Sequence, residues 1–148
     1  MIRVVDLTHY VAGPFATLLL AELGVEVIKV EQPNGGDPWR TLCAGEEEGC
    51  GFDFLNRRKR SLVIDLKKNA GRKELLRLVA DADAVVENFR PGVMSRLGLS
   101  FRALRRANAD IVLTSISSFG QRGPRRDWAA SEMVLQSMGG FVQGTGWE

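Results

Sequence analysis

Residues 3–31 read RVVDLTHYVAGPFATLLLAELGVEVIKVE, and the order of patterns within this stretch decides the fold. Arg3–Leu7 is short, apolar and β-branched, which predicts a strand. AGPFATLLLAELG follows as a helix, with Pro14 near its first turn, where a missing amide costs little, and Gly24 as its stop. Leu18, Leu19, Leu20, Ala21 and Leu23 cover most of the circumference, so burial on more than one side is expected. Glu26–Glu31, EVIKVE, is the next strand. A helix joining two strands implies that the strands lie parallel.

The same alternation continues along the chain. Gln32 to Arg58 reads as a long irregular segment rich in Gly, Glu and Cys. Ser61–Leu66 is a strand, followed by a helix from about Asn69 to Ala80 that Asn69 can cap. Asp83–Asn88 is a strand ending in FRPG. A short helix at Val93–Leu97, another after a cap at Ser100, and a strand at Asp110–Ser117 come next. The loop SFGQRGPRRDWAA then leads to a terminal helix capped by Ser131, and FVQGTGWE reads as a glycine-rich loop. Strands alternating with helices predict an α/β fold: a Rossmann-like parallel sheet with helices on both faces.

Bulk properties exclude several classes of function. The chain has 148 residues, 45% hydrophobic and 26% charged, with a net charge of +2. That composition is globular, and its near-balanced charge offers no field for nucleic acid. The clusters Arg57-Arg58-Lys59-Arg60 and Arg125-Arg126 are expected to be solvated turns. Cys43 and Cys50 flank Glu46–Glu48 at a spacing that fits no zinc pattern, and His9 is the only histidine, so no metal site is expected. Free thiols fit a reducing compartment. The most apolar stretch, Tyr10–Ile28, is broken by Gly13-Pro14, Glu22 and Glu26, so a soluble, cytoplasmic protein without a membrane span is expected.

In parallel sheets, ligands bind beyond the carboxyl ends of the strands. The first strand–helix turn carries Ala12-Gly13-Pro14 in place of a G-x-G-x-x-G fingerprint, and Pro14 removes an amide that could otherwise meet a pyrophosphate. There is no P-loop sequence. The other strand ends offer Lys67 and Lys68 after one strand, and Arg90 and Arg96 after another. Asn88 adds an amide, and Phe89 a ring on which a base or a pantetheine arm could lie. Dispersed cations beside an aromatic surface suit a long anionic ligand with phosphates at one end.

Five stretches in one order sharpen this reading. VVDLTHYVAGPFATLLLAELGVEVIKVEQPNGGDPWR, FLNRRKRSLVIDLK, VVENFRPGVMSRLGLS, SISSFGQRGP and SEMVLQSMGGFVQGTG together resemble the class III CoA-transferases, the carnitine dehydratase/bile-acid-inducible F group. The resemblance covers nearly the whole chain. It implies dimers of interlocked subunits, each with a Rossmann-like domain and a smaller second domain. It implies coenzyme A as substrate and acyl carrier, no metal, and acyl-CoA and carboxylic acids as partners. It also implies transfer of CoA through an acyl anhydride on an aspartate, about as activated as the thioester it replaces, and then a thioester on that aspartate.

In that family the nucleophilic aspartate follows a turn matched here by Gly144-Thr145-Gly146. Residues 1–148 are therefore expected to be the N-terminal Rossmann-like, CoA-binding portion, inactive alone, with the second domain and the C-terminal return segment absent. Asn88, Phe89, Arg90, Arg96 and Leu97 fall where relatives meet CoA, as do Ile64, Asp65 and Lys67 near its adenine end. Gln32 stands where the family often has an arginine, and Arg40 is near enough to replace that phosphate contact. Val11 occupies a position that is glutamine in formyl-CoA transferases, which argues against oxalate or formate as substrate. Glu132 matches an active-site carboxylate in a secondary role, favoured in a first helical turn by the helix dipole. Ser131 matches a histidine of the related acyl-CoA racemases; serine lacks the pKa of a base, which makes a racemase or isomerase the weaker alternative. A non-enzymatic, truncated CoA-binding chain is the other.

Overall fold

The computed structural model describes residues 1–42 and 50–145; Cys43, Glu46–Glu48 and Gly146 lie outside them. Five strands form one parallel sheet: β1 (Arg3–Asp6), β2 (Glu26–Glu31), β3 (Arg60–Val63), β4 (Ala84–Glu87) and β5 (Val112–Ser115). Their order is β3-β2-β1-β4-β5, and every pairing is parallel. The order reverses beside β1, so a crevice opens between the carboxyl ends of β1 and β4.

The helices are α1 (Ala12–Glu22), α2 (Trp39–Leu42), α3 (Cys50–Asn56), α4 (Asn69–Ala80), α5 (Val93–Arg96), α6 (Phe101–Ala107), α7 (Glu132–Met138) and α8 (Phe141–Gly144). Alternation along the strands sorts the core into two layers. Val5, Leu7, Val30 and Val85 face Leu75 and Val79 of α4, Met94 of α5 and Leu104 of α6. Val4, Val27 and Val86 face Ala21 of α1, against which α3 packs. The expected α/β architecture is therefore present, with helices on both faces. Among the described residues no helix is long and apolar enough to cross a membrane.

Several expectations are corrected in detail. Helix α1 is buried along one face only, through Thr17, Leu18 and Ala21. Phe15, Leu19 and Leu23 point outward, with Leu23 81% exposed, because α3 and the sheet reach only one side. The segment after β2 contains α2 and α3, whose short runs show too few turns to register a period. Lys68, not Asn69, is the N-cap of α4. Ser100 does cap α6, accepting from the Ala103 amide at 3.3 Å, whereas Ser131 precedes α7 without a side-chain cap bond. The glycine-rich tail closes into the turn of α8 after Gly140, whose φ is +77°. Residues of α7 and α8 stay exposed, Met133 at 67% and Phe141 at 63%.

The basic cluster at residues 57–60 is not a solvated turn throughout. Arg57 and Arg58 pair with Glu22 of α1, and Arg60 with Glu26 of β2. The Lys59 side chain is 1% exposed and its ammonium lies 3.1 Å from Asp6. It also donates to Pro14 O, Thr17 Oγ1 and Asn56 Oδ1 at 2.8–2.9 Å. Burying a charge costs several kcal/mol unless it is fully partnered, and here it is.

Candidate functional site

The crevice at the carboxyl ends holds a chain of clefts. The first, about 210 Å³, lies beyond β1, β2, β3 and β4 and is walled by Leu7, Val30, Ile64, Leu66, Phe89, Val93 and Leu97. His9, Glu31, Gln32, Asp65 and Lys67 complete its lining. The second, about 240 Å³, shares Phe89 with the first and adds Tyr10, Asn88, Arg90, Ser117, Phe119, Arg126 and Trp128. A third of about 200 Å³ runs on from Arg90 and Arg126 to Arg96.

Local structure places each group. Asp65 Oδ1 accepts from the Lys67 amide at 3.0 Å, a turn that carries the chain from β3 toward α4. Arg72 donates to Lys67 O at 2.8 Å, which fixes the backbone while the Lys67 side chain stays free. Gly71 sits against the Asp65 carbonyl with no room for a Cβ, so the first turn of α4 packs directly beneath the cavity rim. After β4, the Phe89 amide donates to Glu87 Oε2 at 2.8 Å. The Phe89 ring then meets His9 edge-on, 5.5 Å between centroids. Among the described residues Lys67, Arg90 and Arg96 make no ion pair.

Five of the residues expected to bind ligand thus meet in one cavity: Ile64, Asp65, Lys67, Phe89 and Leu97. Asn88 and Arg90 border the second cleft, and Arg96 the third. The other three are elsewhere. Arg40 grips Glu31 through two hydrogen bonds, 2.7 and 2.8 Å, and stacks 3.6 Å above the Phe52 ring, so its guanidinium serves the fold first. It borders a separate open groove with Gln32 and Gly36. Val11 is the exposed residue preceding α1 and lines none of the three clefts. Glu132 is exposed on α7, where Oε1 accepts from Gln136 at 3.0 Å.

His9 and Tyr10 were missed. Their stretch is a strand end in the sequence, but a lone histidine there speaks only to metal ligation and says nothing of packing. Arg126 and Trp128 were also missed, because a loop folding back over β4 has no periodic signature. Among the described residues no group of three or more His, Cys, Asp and Glu side chains could hold a metal.

Charge under the site is concentrated on the α1 side of the sheet. Burial alone would raise the Asp6 carboxyl, but Lys29, Lys59 and the Thr17 and Thr8 hydroxyls hold it below its ordinary value. Burial likewise opposes ionisation of Glu31. Hydrogen bonds from Arg40, Ser61 and the Asp37 amide outweigh it and bring Glu31 to about 2. On the cavity side, burial pushes His9 below its ordinary 6.5 and Glu87 above the usual carboxylate range. The first cavity therefore holds a neutral imidazole and apolar walls, with Glu31, Asp65 and Lys67 as the charged residues of its lining. Such a site can seat a flat aromatic group and meet attached phosphates. Among the described residues lining it there is no nucleophile–base pair for covalent chemistry.

Known proteins match this chain along its length. A family model described as CoA-transferase family III matches residues 1–148. Acetyl-CoA:oxalate CoA-transferase from Acetobacter aceti is 42% identical over 97% of this chain and 37% of its own length. Succinate–glutarate CoA-transferase from Agrobacterium fabrum is 40% identical over 98% of this chain and 38% of its own. Among solved structures, a CAIB/BAIF family protein from Brucella suis superposes with a TM-score of 0.90 at 38% identity, covering 98% of this chain and 40% of that one. A hypothetical protein from Mycobacterium tuberculosis gives 0.89 at 37%, covering 99% and 40%. The chain spans less than half the length of each.

Proposed function

The chain belongs to CoA-transferase family III, and we propose that its strand-end clefts bind coenzyme A. The adenine lies in the first cavity between Ile64 and Phe89, with the 3′-phosphate at Lys67. The diphosphate lies toward Arg90 and Arg96, and the pantetheine arm runs through the second cleft past Asn88 and Phe89. One observation carries this reading: residues from the ends of β3 and β4 converge on an apolar slot whose unpaired cations sit only at its rim. An aromatic base gains from the apolar walls, and a phosphate gains most where a cation has no competing partner.

For the whole protein we propose transfer of CoA from an acyl-CoA to a carboxylic acid. An aspartate outside residues 1–148 attacks the thioester carbonyl, thiolate leaves, and an acyl anhydride forms on the enzyme. The CoA thiolate then attacks the aspartyl carbonyl of the anhydride, releasing the donor acid and leaving an aspartyl-CoA thioester. The acceptor carboxylate attacks that thioester to give a second anhydride and free thiolate. The thiolate attacks the acceptor's carbonyl, releasing the new acyl-CoA and regenerating the aspartate. Glu132 serves there as a secondary carboxylate, and the protein acts as a cytoplasmic homodimer. These 148 residues bind CoA but transfer nothing alone. Relatives named for oxalate and for glutarate match to nearly the same degree, so the choice of acid is assigned to parts outside this stretch.

The test is a nuclear magnetic resonance titration with CoA. Shifts centred on Ile64, Phe89 and Leu97 are expected. Shifts confined to α7 and α8, or none, would overturn the proposal.

A further inference from the structure

The turn between β1 and α1 is held at five successive backbone groups by side chains. The Thr8 amide donates to Asp6 Oδ1 at 2.8 Å, and Thr8 O accepts from Lys29 Nζ at 2.9 Å. The His9 amide donates to Asn88 Oδ1, and His9 O accepts from Asn88 Nδ2, both at 2.8 Å. The Tyr10 amide donates to Asp37 Oδ1 at 3.0 Å. Tyr10 has a φ of +65°, a left-handed conformation that a residue with a Cβ keeps only where its surroundings impose it.

The turn has two outputs. His9 lines the first cavity and Tyr10 the second, with Phe89 between them. Lys29 and Asp37 line neither. Their side chains are 1% and 0% exposed, and they pair at 2.9 Å. A buried ion pair is a poor source of stability, since an apolar pair of the same volume often serves as well or better. Both groups spend their remaining hydrogen bonds on this turn and on the Trp39 amide. Asp37 is itself anchored, its amide donating to Glu31 Oε2 at 3.0 Å.

We propose that Lys29 and Asp37 are positioning residues for the ligand site: acting through the backbone of Thr8 and Tyr10, they aim His9 into one cleft and Tyr10 into the other. The proposal rests on the coenzyme A reading for its ligand, not for its geometry. It places two positioning residues on β2 and its following loop, outside the lining of both clefts.

Two double variants of the chain test it without leaving a buried charge unpaired. Lys29→Gln with Asp37→Asn keeps a donor for Thr8 O and an acceptor for the Tyr10 amide. Lys29→Met with Asp37→Ala removes both. CoA affinity is read by calorimetry. The orientation of His9 is read from its imidazole resonance, which is unique because the chain has one histidine. The first pair is expected to bind within about threefold of the parent with the His9 signal in place. The second is expected to bind at least about tenfold more weakly, with the His9 signal shifted.

Parent-like affinity and an unmoved His9 signal in the folded second variant would overturn the proposal while leaving CoA binding standing. Failure of the parent to bind CoA would remove the coenzyme reading, and the His9 signal would still decide the positioning claim. Should the second variant not fold, amide exchange in the parent decides. The Tyr10 amide is expected to exchange as slowly as those of β1, and exchange at the rate of an open loop would overturn the proposal.

Discussion

The side-chain amide of Asn88 hydrogen-bonds both backbone groups of His9, each at 2.8 Å. It thereby ties the end of β4 to the end of β1 across the point where the strand order reverses. Such a crevice forms only if the two ends hold their separation, and this side chain extends the tie beyond the backbone bond from the Leu7 amide to Val86 O, 2.8 Å. Asn88 borders the second cleft with one of its two N–H donors and one oxygen lone pair committed to the protein.

Asn88→Ala leaves both His9 groups without their partner. A loss of about 1–3 kcal/mol in stability is expected from two part-buried hydrogen bonds. The loss of CoA affinity should exceed what a single ligand contact explains, because the walls of both clefts move. Denaturant titration and calorimetry on the same sample read the two effects. Unchanged affinity with reduced stability would confine Asn88 to the fold.

Lys59→Met leaves Asp6 under the sheet with Lys29 as its remaining nearby cation. The carboxylate keeps its bonds from Thr8 and from Thr17, 2.5–2.8 Å, but loses the ammonium at 3.1 Å. A loss of about 3–5 kcal/mol is expected, and adding Asp6→Asn should restore much of it. Equilibrium unfolding in urea measures both variants. Equal stability of the single and double variants would show that Asp6 does not need its charge partner.

The sequence made the architecture legible and left the site half-written. A strand–helix–strand unit in residues 3–31 announces itself because β-branched and leucine-rich runs differ in period, and the parallel order follows from the connection between them. The cluster Ile64, Asp65, Lys67, Phe89 and Leu97 was also accessible, since strand ends in a parallel sheet converge by geometry. The pairing of Arg40 with Glu31 is a tertiary event that distance along the chain does not encode. The burial of Lys59 is hidden for the same reason, as a run of four basic residues looks solvated until Arg57 and Arg58 share Glu22, Arg60 meets Glu26 and Lys59 enters a buried pocket. His9 and Tyr10 depend on Asp37, Lys29 and Asn88, three side chains from separate elements, and no local pattern joins them.

Acid should destabilise the chain in two steps, the lower one shared by Glu31 and Asp6, both held below their ordinary values. His9 has a folded value below its ordinary 6.5, so the unfolded chain takes up its proton first, and stability falls as pH drops below about 6.5 through the folded value. Glu31 lies at about 2 against an ordinary 4.5. Its contribution is complete above about 4.5 and is lost as pH falls toward 2. That contribution is on the order of 2 kcal/mol once screening of the half-exposed Arg40 partner is allowed for. Thermal unfolding between pH 7 and 3 checks this, and Glu31→Gln should flatten the lower step. An identical profile in that variant would assign the acid sensitivity elsewhere.

Gly71→Ala drives a methyl group into the Asp65 carbonyl and must displace α4 or the strand end beside it. Overpacking of this kind costs about 1–3 kcal/mol. Because Ile64 and Asp65 line the first cavity, CoA affinity should fall as well. A variant that keeps parent affinity despite lower stability would show that the β3–α4 turn is not part of the ligand wall.

The most direct measurement is calorimetric titration of the chain with CoA and then with dephospho-CoA, in the parent and in Lys67→Ala. Binding at least about tenfold weaker without the 3′-phosphate is expected in the parent, with the difference between the two ligands abolished in Lys67→Ala. Equal affinity for both ligands in the folded parent, or no binding of either, would contradict the placement of coenzyme A in the cavity between Ile64 and Phe89.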